Sequence, residues 1–390
     1  MEVSTFERLL SPEGQRLLQE VTDAQDEVDD LVLGTRLRRD GHAGELVAAA
    51  TGQASLRRRA RTKLGGDAAV MWFTPDALEQ ATRPAVASHR AARLHTHGVR
   101  TVLDLGCGIG ADLVAMARAG LTVHGVERDP LRAAMARANL AALGLDGTVE
   151  VADATAVDVA PYDVAFVDPA RRDGRGRTFD PDAFSPPWSF VSGLLQERGV
   201  AKVLPGISHD LVSEGVEAEW VSERGSLVEA CLWGRRFAGT RRRATVLGAH
   251  GAATLTESEA PADAEVREPG AWWYEPDDAV IRAGLVTGVA ALVGGWLVDP
   301  HIAYVSSDAH VPTPYARAFR VVEELPYREK QLRAALRDRD VGTLTVKKRG
   351  VTVVPEALIK RLRLTGSTTA TVVLTRVAGE GRAFLVEPIA

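Results

Sequence analysis

Cysteine is almost missing from this 390-residue chain: Cys107 and Cys231 are the only two. They lie far apart and make no metal-type spacing, which excludes a disulfide framework and a Cys-x-x-Cys zinc site. A reducing, cytoplasmic setting is the expectation. Aromatic residues are scarce at 5%, which argues against a broad base-stacking platform. Excess positive charge is absent too. With 47 Lys and Arg against 52 Asp and Glu the formal net charge is -5, so any nucleic-acid contact must come from local patches. Long apolar runs are also wanting. The longest, "VIRAGLVTGVAALVGGWLV" (280–298), is interrupted by Arg282 and rich in small residues. It reads as a buried helix and strand, not a membrane span. The opening "MEVSTFERLL" has neither the basic start nor the apolar stretch of a signal peptide.

What is present suffices for two or three domains with cores of their own, at 45% hydrophobic and 25% charged residues. Residues 1–90 read as a helical region. "FERLLSPEGQRLLQEV" has helical apolar spacing and a Ser11–Pro12 helix start. "ELVAAATGQASLRRRARTKLG" continues the pattern to Gly65–Gly66 and carries Arg57, Arg58, Arg59, Arg61 and Lys63. That cluster is either a solvated helix face or a phosphate-contacting patch.

Residues 91–250 alternate strand and helix. "VRTVLDLG", "LTVHGVE", "GTVEVADA" and "YDVAFVDPA" are strands; "GADLVAMARAG" and "DPLRAAMARANLAALGL" are helices between them. The order predicts an α/β fold with a parallel sheet covered on both faces. "VAKVLPGI", "AEWVSERGSLVEACLW" and "RRRATVLG" add strands toward the far edge, the last two as a possible antiparallel hairpin. The acidic, Ala- and Pro-containing stretch 250–270 is a linker or an irregular edge segment. A mixed segment (271–312) follows, with one helix and short strands. Residues 313–390 read as strand, helix, strand, helix and a hairpin turning at Gly-Glu-Gly (379–381).

The glycine turn "DLGCGIGADL" (104–113) follows a strand and opens a helix, as a nucleotide-type loop requires. Glu127 ends the next strand, where a carboxylate can accept from ribose hydroxyls. These features alone fit a dinucleotide or S-adenosylmethionine. Three more favour the second. Asp104 precedes the first glycine, where it can face an amino group but would repel a pyrophosphate. Asp153, after the third strand, is placed to bond an adenine amine, with the Ala154 backbone pairing to the ring. "DPARR" (168–172) closes the fourth strand, at the sheet edge where a substrate belongs.

On these residues the segment 99–205 resembles a class I S-adenosylmethionine-dependent methyltransferase with a Rossmann-like, seven-stranded sheet. "VLDLGCGIG", "HGVERDP", "VADAT" and "VDPAR" resemble its motifs I to IV. The resemblance implies cofactor contacts at Asp104, Gly106, Cys107, Gly108, Gly110, Glu127, Arg128, Asp153, Ala154 and Asp168. Cys107 then reads as a small loop filler. "DPAR" is similar to the Asp/Asn-Pro-Pro-aromatic motif of amino-methylating enzymes. Asp168 and Pro169 match it, which implies that they bind an exocyclic amine as catalytic residues. Ala170 and Arg171 depart from it, so the base stack cannot come from position 171. Arg171 instead stacks through its guanidinium plane or holds a phosphate.

Upstream, "MWFTPDALEQATRP" resembles the Trp-Phe-Thr-Pro segment of cap trimethylguanosine synthases, which implies substrate contacts at Phe73 and Thr74. Thr74 is equally an ordinary helix N-cap. The whole chain resembles bacterial class I methyltransferases that continue into a ferredoxin-like segment and a small α+β THUMP-like domain. "YEPDDAVIRAGLV" and "LTVKKRGVTVVPEALIKRLRL" carry that likeness. It implies RNA binding, with Lys347, Lys348, Arg349, Lys360, Arg361 and Arg363 suited to phosphates. The expectation is methylation of an exocyclic base nitrogen of tRNA or rRNA, with no metal and no membrane. The alternatives are a protein or small-molecule acceptor, or an RNA-binding protein that keeps the fold without catalysis.

Overall fold

The structure is a computed structural model that describes residues 1–25, 28–171 and 184–389. The chain divides into two compact units. The first comprises Met1–Val203, Ser213–Val216 and Leu232–Phe237; the second comprises Leu204–Val212, Glu217–Cys231 and Ala238–Ala390.

The first unit opens with helices α1 (Val3–Leu10), α2 (Pro12–Ala24), α3 (Asp30–Arg39), α4 (Gly44–Leu64), α5 (Pro75–Gln80) and α6 (Pro84–Thr96). Ser11 caps α2, accepting from the Gly14 amide, with Pro12 in the first turn. Gly65, at φ 62, closes α4. The apolar faces of these helices bury Phe6, Leu17, Val47, Ala50, Trp72 and Phe73 in one cluster.

β1 (Thr101–Leu105), α7 (Ala111–Arg118), β2 (Thr122–Glu127), α8 (Pro130–Ala142), β3 (Thr148–Val151) and β4 (Val164–Val167) come next. The unit's remaining elements are β5 (Ala170–Arg171), β6 (Phe184–Ser185), α9 (Trp188–Leu195) and β7 (Gly199–Val203). The major strands lie in the order β3-β2-β1-β4-β7, every neighbour parallel. β1 and β4 are apolar almost throughout and buried, as central strands of a parallel sheet must be. The chain runs from β1 out to β3 and returns to β4 on the other side of β1. That reversal opens a crevice at the carboxyl ends of β1 and β4.

One buried side chain fastens the helical region to this sheet. Asn139, on α8 and fully buried, accepts from the Trp72 amide at 2.7 Å. Its amide donates to the carbonyls of Trp72 (3.2 Å) and Ile109 (2.8 Å), the latter inside the glycine turn.

In the second unit β8 (Glu217–Glu223), β9 (Ser226–Trp233, whose last two residues belong to the first unit), β10 (Arg242–Gly248) and β11 (Gly251–Thr256) come first. The expected antiparallel hairpin into "RRRATVLG" does not form. β10 pairs with β8, in parallel, because the chain crosses from β9 to the far side of β8. The 250–270 stretch is in part an edge strand, β11, antiparallel to β10.

β12 (Trp272–Pro276), α10 (Asp278–Ala283), α11 (Val286–Leu292), β13 (Trp296–Leu297) and β14 (Val305–Ser307) follow, so two short helices stand where one was expected. Then come β15 (Ala316–Leu325), α12 (Glu329–Asp338), β16 (Val341–Arg349), α13 (Pro355–Leu362), β17 (Thr368–Val377) and β18 (Glu380–Pro388). The strands from β12 onward share one sheet, β13-β14-β12-β15-β18-β17-β16. Alternation along β17 serves both faces. Val372 and Leu374 pack with α12 and α13 residues, while Val373 and Val377 join Trp273 and Phe384.

The terminal hairpin is present, but its turn is Ala378–Gly379, at φ 48 and 87, not Gly-Glu-Gly. A two-residue primed turn needs positive φ at both central positions. Gly381 lies in β18, paired with Arg376, where a Cβ would stand 2.8 Å from the Tyr327 ring.

Replacing Asn139 by Ala removes three bonds and leaves buried backbone groups unpaired. Stability should fall by about 3 kcal/mol in urea unfolding. A loss below about 1 kcal/mol would show that these bonds do not fasten the helical region.

Candidate active site

The glycine turn sits at the carboxyl end of β1. The amides of Gly106 and Cys107 donate to the Val126 carbonyl at 2.8 and 3.0 Å, folding the loop over the end of β2. Gly106, Gly108 and Gly110 have φ of 88, 57 and 83, values that side chains disfavour. Gly110 is also the N-cap of α7, and a Cβ on it would lie 3.3 Å from the Ala136 methyl. A Cβ built on Gly106 would stand 3.9 Å from the Asp168 carbonyl oxygen. The glycine turn and the end of β4 therefore face each other across the crevice.

The predicted residues meet around this turn. Glu127 accepts from the Gly108 amide at 2.9 Å and the Asp129 amide at 2.8 Å, so one carboxylate ties the loop to the start of α8. Arg128 is exposed beside it. Asp153 is exposed beyond β3, held by the amide and hydroxyl of Thr155 at 2.8 and 2.7 Å. Those bonds keep its carboxyl below the usual range. Ala154 is half-buried next to it. Cys107 is buried, and burial, then the charges of Asp104 and Glu127, push its thiol well above the ordinary value. It is a packed neutral thiol, not a nucleophile.

Asp104 is the unusual member. It occupies the fourth position of β1, is 1% exposed, and neither carboxylate oxygen has a hydrogen-bond partner among the described residues. Burial pushes its pKa well up, Asp112 and Asp168 push further, and Arg90 and Lys202 pull the other way. Asp168 and Pro169 end β4, Pro169 buried and the Asp168 side chain 39% exposed. The side chain of Arg171 lies outside the described residues.

Other expected contacts fall elsewhere. Phe73 is fully buried in the helical core, its backbone paired with Gln53 at 3.1 and 2.6 Å. A ring packed there is not a substrate surface. Thr74 caps α5, accepting from the Ala77 amide. In the basic cluster of α4, Arg57 donates to the carbonyls of Met71 and Val70 and lies over the Trp72 ring. Burial lowers its pKa to about 10. Lys63 donates to the carbonyls of Leu78 and Glu79. Both cations are engaged with local carbonyls; Arg58 and Arg61 are exposed. In the second unit Lys347 pairs with Glu275 and Arg361 with Glu329, while Lys348, Lys360 and Arg363 are exposed and Arg349 lies over the Tyr304 ring.

Sequence reading missed Lys202, Thr82, Arg90 and Asp112, which together surround Asp168 and Asp104. Nothing in the local pattern marks them, since they come from β7, the α5–α6 connection, α6 and α7. No helix among the described residues is long and apolar enough to cross a membrane, and none of these residues form a metal-binding cluster of three or more His, Cys, Asp or Glu.

The fold and the turn define a class, and comparison with known proteins agrees: the chain belongs to the class I S-adenosylmethionine-dependent methyltransferases. Over 334 residues it is 41% identical to an uncharacterized S-adenosylmethionine-dependent methyltransferase of Mycobacterium tuberculosis, in strains CDC 1551 and H37Rv alike. That match covers 83% of this chain and 90% of the relative. Family models match a methyltransferase domain over residues 102–169, a THUMP domain-like region over 316–388 and a domain of unknown function over 2–60. A solved structure from Porphyromonas gingivalis W83, assigned as a methyltransferase, shares the fold at a TM-score of 0.75. It is 22% identical, over 90% of this chain and 92% of that one.

The methyl donor is therefore S-adenosylmethionine. The residues present fit it. A buried carboxylate with no partner among the described residues stands ready for a cationic amine, and the three glycines of the turn leave room for a ligand against the backbone.

The raised pKa of Asp104 makes the cofactor-free protein pH-sensitive. The folded state holds this proton more tightly than the unfolded chain. The associated stability is complete below the unfolded pKa and is lost as pH rises through the folded one. Asp104→Asn keeps the shape and removes the titration. The cofactor-free variant should gain on wild type, by a few degrees in melting temperature, as pH goes from about 4 to about 8. A difference that stays constant across that range would contradict the assignment.

Proposed function

We propose that this methyltransferase modifies RNA, at an exocyclic nitrogen of a base. The observation that carries the reading is the Asp168–Pro169 step. It puts a part-exposed carboxylate at the crevice, with the Asp168 carbonyl oxygen beside the glycine turn and the Pro169 carbonyl next along the chain. Two such acceptors suit the two N–H groups of an arylamine. The THUMP domain-like match over 316–388, with Lys348, Lys360 and Arg363 exposed, supports RNA as the carrier of that amine. In this reading residues 1–90 are a helical region, 91–250 the methyltransferase domain, 271–312 a ferredoxin-like segment and 313–390 the THUMP-like domain.

When bound, the cofactor supplies a methyl group on a sulfonium sulfur. Asp104 takes its amino group. The turn at Gly106, Cys107, Gly108 and Gly110 accommodates the methionine part. Glu127, with Arg128 beside it, serves the ribose, and Asp153 with the Ala154 backbone serves the adenine. Asp168 and the Pro169 carbonyl would hold the acceptor amine and orient its lone pair. Positive charge that develops on the acceptor nitrogen during methyl transfer would be stabilised by the Asp168 carboxylate. An arylamine needs little activation, so alignment is the main task.

Nucleoside mass spectrometry of RNA from cells with and without the gene tests this. One base-methylated nucleoside should disappear with the gene. Asp168→Ala should lower kcat by roughly 10²–10³-fold and change cofactor affinity far less. Unchanged RNA nucleosides would move the acceptor to a protein or small molecule; normal turnover by the variant would remove Asp168 from the chemistry.

A further inference from the structure

A cavity of about 380 Å³ lies within the second unit, in the range of roughly 300–1,000 Å³ usual for ligand sites. Its wall comes from the β8–β9 turn, β10, β12, the start of α10, β15 and β16. β12 and β16 stand four places apart in their sheet, about 19 Å if the sheet were flat. Yet Nζ of Lys347, on β16, lies 2.5 Å from Oε2 of Glu275, on β12. The sheet is therefore strongly coiled, and the cavity stands where these two strands approach.

Four cations line it: Arg224, Arg317, Lys347 and Arg349. Lys347 is neutralised by Glu275, while the three arginines make no ion pair among the described residues. Elsewhere in the unit Arg242, Arg320, Arg339 and Arg382 are each paired with a glutamate. Arginines left unpaired around a concave site suit a phosphate. Their placement carries a backbone cost. Arg224 and Gly225 are the two central residues of the β8–β9 turn, at φ 51 and 74. Such a turn favours Asn or Gly in its first place, so an arginine there is strained. A Cβ on Gly225 would collide with the Arg317 guanidinium, so the glycine lets Arg317 lie across the turn. Arg224 and Arg317 are both exposed.

Alternation along β16 puts Lys347 and Arg349 on one face and Lys348 on the other. Arg349 is half-buried and lies over the Tyr304 ring, 5.5 Å from its centre. Tyr304 is 1% exposed, and its hydroxyl has no hydrogen-bond partner among the described residues. A guanidinium backed by an aromatic ring offers its other face as a platform for a base. The cavity also holds two carboxylates beyond Glu275. Asp277 accepts from the Ala279 amide at 2.9 Å through Oδ1, and Asp278 is exposed in the first turn of α10. These carboxylates repel a bare phosphate but accept from N–H groups. The fitting ligand has an anion at one end and an amine at the other.

We infer that this cavity takes one nucleotide whose base carries an exocyclic amine. Arg224 and Arg317 meet its phosphate, Arg349 backs the base, and Asp277 and Asp278 accept from the amine. An unpaired nucleotide of RNA and a free nucleotide share this chemistry. The inference rests on the RNA reading above only for the first of these sources.

The test uses the full-length protein. Anisotropy of a short labelled oligoadenylate is competed by AMP, CMP, GMP, UMP and inorganic phosphate, and AMP is also titrated directly by calorimetry. AMP, CMP and GMP should displace the oligoadenylate. UMP, which lacks the amine, should need about tenfold more, and phosphate should not displace it where AMP does. Arg224→Gly, Arg317→Gln and Arg349→Gln should each weaken both probes by about tenfold. Arg224→Gly separates the roles. Glycine suits that turn better, so an arginine with only a structural role predicts unchanged binding at equal or higher stability. Arg320→Gln, which removes a cation paired with Glu387, should change affinity by less than about twofold.

Oligoadenylate binding weakened in the three variants supports the inference with RNA as the source. AMP binding weakened in them, with no oligoadenylate binding by wild type, supports it with a free nucleotide as the source and withdraws this support from the RNA reading. Oligoadenylate binding equal in wild type and the three variants overturns the inference and leaves the RNA reading standing. Displacement by phosphate or by UMP as readily as by AMP overturns it, and so does binding of neither probe. If Arg317→Gln and Arg349→Gln do not fold, Arg224→Gly decides alone.

Discussion

Three carboxylates and two cations meet inside the first unit, and the surrounding architecture is arranged to tolerate them. Asp104, Asp112 and Asp168 come from β1, α7 and the end of β4; Arg90 and Lys202 come from α6 and β7. Charges of one sign at that depth would protonate or unfold the site. The counter-charges are themselves bonded, Lys202 to Thr82 and Asp168, Arg90 to Asp112. Among the described residues the Asp104 carboxylate has no hydrogen-bond partner, and it lies beside the glycine turn proposed to hold the methyl donor. The partnerless carboxylate suits a cationic ligand, and its cost in the free protein would be offset on binding.

This explains why the helical region belongs with the sheet. Thr82 and Arg90 are supplied by the segment that enters the sheet domain, not by the sheet itself. Asn139 holds Trp72 and Ile109 together, so the helical core and the glycine turn share one buried amide. Phe73 and Thr74 contribute through packing and capping in that same region. The segment that resembles the Trp-Phe-Thr-Pro segment of cap trimethylguanosine synthases thus acts here first as the scaffold of the charge cluster.

Much of the first unit was legible in the chain. Strand and helix alternate with clear periodicity, and the turn has its glycines where positive φ demands them. Acidic residues stand at or just beyond the ends of β1 to β4: Asp104, Glu127, Asp153 and Asp168. Legibility failed where pairing is non-local. β9 and β10 are close in sequence, yet β10 pairs with β8, a choice no local signal records. The final hairpin misled through its glycines: Gly381 is small because Tyr327 lies against it, while the turn uses Ala378. Arg57 and Lys63 looked like a free basic face, but backbone carbonyls from the following segment engage them.

The sequence by itself determined the methyl donor, because a glycine turn and the carboxylates that serve it are local features with fixed spacing. It also determined the layered α/β plan, since hydrophobic period reports which faces are buried. Only the tertiary structure decided the electrostatic state of the site. Lys202 lies 34 residues beyond Asp168, and Thr82 lies 30 before Asp112. Their contacts exist only once five separate elements pack together, and a carboxylate's charge and orientation depend on those neighbours rather than on its own motif.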